Sequence, residues 1–153
     1  MRGYRSGDLE ALWRLDQTCF AAEFRFDREG MRSFAELPGA VVVIAEQDGE
    51  GAALCGFVIV HLEGSGQALG GYVVTLDVAM EWRRQGLAGL MLAEAERLTV
   101  AAGASWMGLH VFVENAGAIA FYERAGYVRG EMLAEFYGDA GMDSLVFRKW
   151  LGV

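Results

Sequence analysis

At 153 residues the chain has the length of one ordinary domain, and it is read as a single domain over residues 1–153. An apolar fraction of 54% against 22% charged residues excludes a disordered chain, and the length is enough to bury a core without a disulfide or metal staple. The 21 acidic and 13 basic residues leave a net charge of −8, which repels phosphate backbones, so no nucleic-acid partner is expected. No window holds the ~18–20 apolar residues of a membrane span, and Met1–Arg5 lacks the apolar segment of an export signal. Cys19 and Cys55 stand apart without metal-ligand spacing, so a reducing cytoplasm and no bound metal are expected.

In chain order, a short strand is expected at Met1–Arg5. Leu9, Leu12, Trp13, Leu15, Asp16, Cys19 and Phe20 then recur at helical spacing behind Ser6, a candidate N-cap. A second helix fits Arg28–Glu36 and stops at Pro38-Gly39. Ala40–Glu46, Leu54–Leu62 and Gly71–Ala79 read as strands, separated by glycine-bearing turns. Leu87, Leu90, Met91, Ala95, Leu98 and Ala102 form one apolar helical stripe, closed by Gly103. Trp106–Val113 reads as a strand, Asn115 as the cap of a short helix ending at Ala125-Gly126, and Tyr127–Phe136 with Leu145–Leu151 as a final hairpin. This order defines a mixed α/β domain with helices on both faces of a central sheet. In open sheets, ligands bind beyond the carboxyl ends of strands, which directs attention to the strand–helix junctions at Ala79–Gly86 and Glu114–Asn115.

The first junction carries the most chemistry. A strand ends, Arg83 and Arg84 follow, and a helix opens with Gly86, Leu87, Ala88 and Gly89. The first turn of a helix exposes unpaired N–H groups and the positive end of the dipole, and the small residues admit close approach to the backbone. That combination suits a pyrophosphate. It lacks the lysine of a nucleoside-triphosphate loop and the glycine spacing of a dinucleotide fingerprint. A tight turn with two solvated arginines is the plainer alternative.

Arg83-x-x-Gly86-x-Ala88 resembles the acyl-CoA pyrophosphate motif of the GNAT superfamily of N-acetyltransferases. Leu109-His110-Val111, followed by Asn115-x-x-Ala118-x-x-Phe121-Tyr122-Glu123-x-x-Gly126-Tyr127, resembles that family's second conserved region. The resemblance implies a mixed, mostly antiparallel central sheet whose two middle strands splay apart. It implies acetyl-CoA as donor, held by Val78, Ala79, Arg83, Arg84, Gln85, Gly86, Leu87, Ala88, Gly89, Asn115, Ala118, Phe121 and Tyr122. The acetyl carbonyl is implied to meet a backbone N–H near Val78, and an amine to attack the thioester directly. Within the superfamily, the chain looks most similar to RimI-like protein N-terminal acetyltransferases.

On that resemblance Tyr122 is the general acid for the departing thiolate. Proton transfer from a phenol near pKa ~10 to a thiolate near ~8.5 is uphill by ~2 kcal/mol, so the benefit comes mostly from a hydrogen bond that strengthens as charge develops. An aromatic packed against Tyr127 is the alternative. Strand alternation puts Gly108, His110, Phe112 and Glu114 on one face, and an imidazole there suits a base at neutral pH. A structural strand histidine fits equally, and Asp77 is the second candidate base. His61 is read as structural. The resemblance implies that the acceptor amine meets the link between the first two helices and the last hairpin, here through Phe24, Phe26 and Tyr137, aromatic walls beside carboxylates; core aromatics with solvated acids are the alternative. The acceptor is a peptide N-terminus or a small amine such as a polyamine, an amino acid or an antibiotic. A non-catalytic acyl-CoA-binding module is the third reading.

Overall fold

The computed structural model describes residues 1–133 and 143–152. The apolar stripe of the N-terminal segment forms α1 (Leu9–Cys19), entered by a 3-10 turn over Ser6–Asp8. The capping differs from the expectation at Ser6. Asp8 accepts from the Arg5 N–H at 2.7 Å and binds the Arg2 guanidinium at 2.8 Å, so the charged pair fixes the helix entry instead. The opening strand reduces to one bridge, in which Arg2 and Ile44 exchange backbone hydrogen bonds. Helix α2 (Arg28–Ala35) is capped by the Asp27 side chain on the Gly30 N–H.

The strands are β1 (Val41–Glu46), β2 (Leu54–Glu63), β3 (Gly70–Val78), β4 (Trp106–Phe112), β5 (Val128–Leu133) and β6 (Ser144–Trp150). They make one mixed sheet in the order β1-β2-β3-β4-β6-β5, with β3 and β4 as the parallel pair and antiparallel neighbours elsewhere. Helix α3 (Leu87–Ala101) joins β3 to β4, and α4 (Ala116–Arg124) joins β4 to β5. Residues 134–142, over which the strand is expected to continue beyond Leu133 and the hairpin to turn, lie outside the described residues.

Two cores sandwich the sheet. Met91, Leu92 and Ala95 of α3 pack with Val58, Val60, Met107, Leu109 and Phe147 on one face. Leu9, Leu12, Met31 and Ala35 of α1 and α2 pack with Ile44, Phe57 and Ile59 on the other. Burial of each large aliphatic side chain contributes about 1.5–3 kcal/mol.

Two features of β3 shape the site. The first is a bulge. Ile59 pairs with Thr75 and Val60 with Val73, so Val74 is an extra residue. It reverses side-chain parity: Leu76 and Val78 pack on the α3 face, whereas Val74 packs on the α1–α2 face. The second is a divergence. The β3–β4 ladder holds Gly70–Trp106, Gly71–Met107 and Tyr72–Gly108 and ends there, while each strand stays paired with its outer neighbour. The two middle strands therefore splay from Val73 onward.

Glycine at 70 and 71 permits the closed end of this fork. A Cβ at Gly70 would overlap the Trp106 ring, and one at Gly71 would lie 2.8 Å from Thr99 Cγ2 and 2.8 Å from Val60 Cγ1. Gly71→Val is expected to destabilise the fold by about 2–3 kcal/mol, read as a fall in Tm of roughly 5–10 °C. An unchanged Tm would show that β3 and β4 can part at this point without cost.

Candidate active site

The fork between β3 and β4 opens into a cavity of about 350 Å3. Val73–Leu76 form one side and Leu109–Phe112 the other, with Asn115, Ala118 and Tyr122 from α4 at one end. The segment Phe20–Phe26, between α1 and α2, closes the α1–α2 side through Phe20, Glu23, Phe24, Arg25 and Phe26. The Phe24 ring lies 5.3 Å from that of Phe112, and Phe26 lies 4.8 Å from Phe34. Tyr137 lies outside the described residues.

His110 sits where strand alternation places it, half-buried, away from the buried Leu109 and Val111. Its Nδ1 lies 2.9 Å from the Tyr72 hydroxyl, and the two rings are tilted at 5.4 Å. Burial first, then the Arg148 charge, holds its pKa below the ordinary 6.5. The imidazole is therefore neutral at neutral pH, able to accept a proton. Tyr72 belongs to no motif in the sequence. It joins the site because the last β3–β4 ladder pair sets it against Gly108, two residues before His110.

Tyr122 lines the cavity from the α3 side of the sheet and is 8% exposed. Phe121 and Tyr127 pack edge-on against it at 4.9 and 5.6 Å, so its ring is fixed from two sides. The Asn115 side chain accepts from the Ala118 N–H at 3.1 Å, capping α4, and also lines the cavity. Phe121 and Ala118 pack against the α3-side core.

The β3–α3 turn supplies backbone donors. Arg84 (φ 61°) and Gly86 (φ 82°) take left-handed conformations, and Gly86 is the N-cap of α3. A Cβ at Gly86 or Gly89 would meet no protein atom within 4 Å, so the flank of the turn is open. The first-turn N–H groups of α3 have no helical acceptor. Arg83 Nε bonds the Val78 carbonyl at 3.0 Å, which ties the loop to the end of β3. Ala79 gives its N–H to the Cys55 carbonyl at 2.8 Å. Since successive strand N–H groups face opposite edges, that of Val78 faces the fork. An open turn of donors, followed by a cleft between strands, fits a pyrophosphate with a narrow acylated arm.

Asp77 lies elsewhere. It is 1% exposed, faces α1, and its Oδ1 accepts from Thr75 Oγ1 at 2.6 Å. Cys55 is buried and Cys19 half-buried, with burial pushing both thiols up, so neither is a ready thiolate. His61 Nε2 lies 2.8 Å from the Phe34 carbonyl, a structural contact. Among the described residues no helix is long and apolar enough to cross a membrane.

Residues 9–127 match the acetyltransferase (GNAT) family, and the chain belongs to it. It is an N-acetyltransferase, and acetyl-CoA is its acyl donor. A Bacillus subtilis protein named as a [ribosomal protein bS18]-alanine N-acetyltransferase is 25% identical over 146 residues, 95% of this chain and 91% of that protein. Arabidopsis thaliana NAA60, solved with acetyl-CoA, shares the fold with a TM-score of 0.84 at 22% identity, over 97% of this chain and 96% of that one. The ribosomal-protein-S18-alanine N-acetyltransferase of Escherichia coli shares it with a TM-score of 0.79 at 19% identity, over 99% of this chain and 93% of that one.

Proposed function

We propose that the protein acetylates the α-amine of a protein or peptide N-terminus by direct attack in a ternary complex. The observation that carries this is one cavity holding a tyrosine-oriented imidazole on one side of the sheet and a packed phenol on the other. The relative that spans most of the chain, named for ribosomal-protein alanine acetylation, supports the choice of acceptor. Two free cysteines and an acetyl-CoA donor fit a cytoplasmic enzyme.

The β3–α3 turn from Arg83 to Gly89 would hold the pyrophosphate of CoA, with Arg84 adding charge beside the amides. When bound, acetyl-CoA supplies the activated acyl group. The Val78 N–H faces the fork, in place to stabilise an oxyanion, an interaction that contributes a few kcal/mol in acyl transfer. The neutral imidazole of His110 takes the proton of the attacking ammonium, directly or through water, and Tyr72 fixes its orientation. Tyr122 donates a hydrogen bond to the departing sulfur. Phe24 and Phe26 wall the side from which the amine arrives.

The reading is tested by free-thiol release from acetyl-CoA with peptides beginning Ala, Ser, Met and Gly, beside spermidine, free amino acids and an aminoglycoside. Peptide-dependent release that is abolished by N-terminal blocking is the expected result. Release with small amines alone would overturn the peptide assignment. Stabilisation by CoA without acceptor-dependent release from any of them would leave a binding module.

A further inference from the structure

Two buried carboxyl groups meet behind the cavity wall. Asp16, from the last turns of α1, is 0% exposed, and Asp77 of β3 is 1% exposed. Each has one oxygen satisfied. Asp77 Oδ1 accepts from Thr75 Oγ1 at 2.6 Å, and Asp16 Oδ2 accepts from the Phe26 N–H at 2.8 Å. No N–H or hydroxyl donor among the described residues reaches the other two, Asp16 Oδ1 and Asp77 Oδ2. Cys19, one turn beyond Asp16 on α1, donates its thiol to the carbonyl of Val78, next to Asp77 on β3, at 3.5 Å, and this junction of α1 and β3 brings the two carboxyls together.

Two ionised carboxylates cannot share such a site, because their repulsion and desolvation add. A single proton removes both costs. We propose that Asp16 and Asp77 hold one proton between them, Asp77 donating to the Asp16 carboxylate, and that this hydrogen bond clamps the Phe20–Phe26 cavity wall to β3.

The surroundings support one proton rather than an ion pair. The charges of Arg83 and Arg25 act on Asp77 and Asp16, but no guanidinium N–H among the described residues reaches either open oxygen, and the Nε groups bond the carbonyls of Val78 and Phe20 at 3.0 and 2.8 Å. The Cys19 thiol, on which the Asp77 charge acts, is itself held neutral, by burial first. Burial is the main cause that pushes both carboxyls up, Asp77 well above the ordinary range, and the Asp16 charge pushes Asp77 further. The hydrogen bonds of the wall to α1 converge on Phe26. The Phe26 N–H goes to Asp16 and its carbonyl accepts from Gln17 Nε2 at 2.9 Å. Loss of the proton would set two negative charges against each other between α1 and β3 and loosen that grip. Neither carboxyl lines the cavity, so both are positioning residues, acting through Phe26 and Thr75.

The effect on the acceptor rests on the transferase reading above, but the proton does not. Carboxyl 13C NMR of the resting protein should show two aspartates whose shifts move together and titrate above the usual carboxylate range. Asp16→Asn and Asp77→Asn each replace the shared O–H with an amide N–H, and each should end the coupled titration, leaving one carboxyl that titrates alone, while keeping the fold. The double variant turns two amide groups on each other. Peptide KM should rise at least fivefold through the same titration in the unaltered enzyme, with acetyl-CoA KM constant. It should stay flat with pH in either single variant and be high at every pH in the double variant. Amide exchange of Phe26 should accelerate over the same pH range, a readout that needs no acceptor. Ordinary titration of both carboxyls would overturn the shared proton. A shared proton with unchanged Phe26 exchange and flat peptide KM would overturn the clamp.

Discussion

Replacing Tyr122 by phenylalanine is expected to lower kcat about 10²-fold, the usual loss on removing a general acid. The KM for acetyl-CoA should change less than threefold. The ring is held edge-on by Phe121 and Tyr127, so the variant keeps its place in the core and loses only the hydroxyl. Stability should fall by about 1 kcal/mol or less, the worth of one hydrogen bond. Steady-state kinetics with both substrates, beside a thermal melt, separates the two effects. Equal turnover would remove Tyr122 from proton transfer and leave it as packing.

The second large effect is at His110. His110→Ala should lower kcat/KM for the acceptor by about 10²-fold or more at pH 7. In the unaltered enzyme, activity should rise with pH through a midpoint below 6.5, because burial and then Arg148 disfavour the imidazolium. The sign for stability is the same. The unfolded chain binds the proton more readily, so this group stabilises the fold at neutral pH and that contribution is lost as pH falls. Arg148→Gln removes the nearby charge and should move the midpoint upward. A midpoint indifferent to Arg148, or an acid limb that survives His110→Ala, would assign the titration to another group.

Much of the frame was legible in the residues. Hydrophobic spacing located the helices at Leu9–Cys19 and Leu87–Ala101 within a residue or two, because an amphipathic stripe has to face the core. The Asn115 cap was readable since its side chain serves a backbone amide three residues away. The extent of the opening strand was not: Met1–Arg5 reads as a strand, but only Arg2 bridges, to Ile44 far along the chain. Ser6 looked like a cap, but the Arg2–Asp8 ion pair took over the helix entry, with Glu46 from β1 binding the same guanidinium.

By itself, the sequence determined what repeats locally: the helix faces, the strand runs, the caps and the glycine-opened turn after β3. It also placed His110 and Tyr122 in motifs at fixed spacing. The tertiary structure alone decided what depends on register. The bulge at Val74 turns Thr75 and Asp77 toward α1, the end of the β3–β4 ladder brings Tyr72 to His110, and the packing of α1 sets Asp16 beside Asp77. A one-residue shift in strand pairing exchanges every side chain between the two faces, and local propensity does not encode that shift.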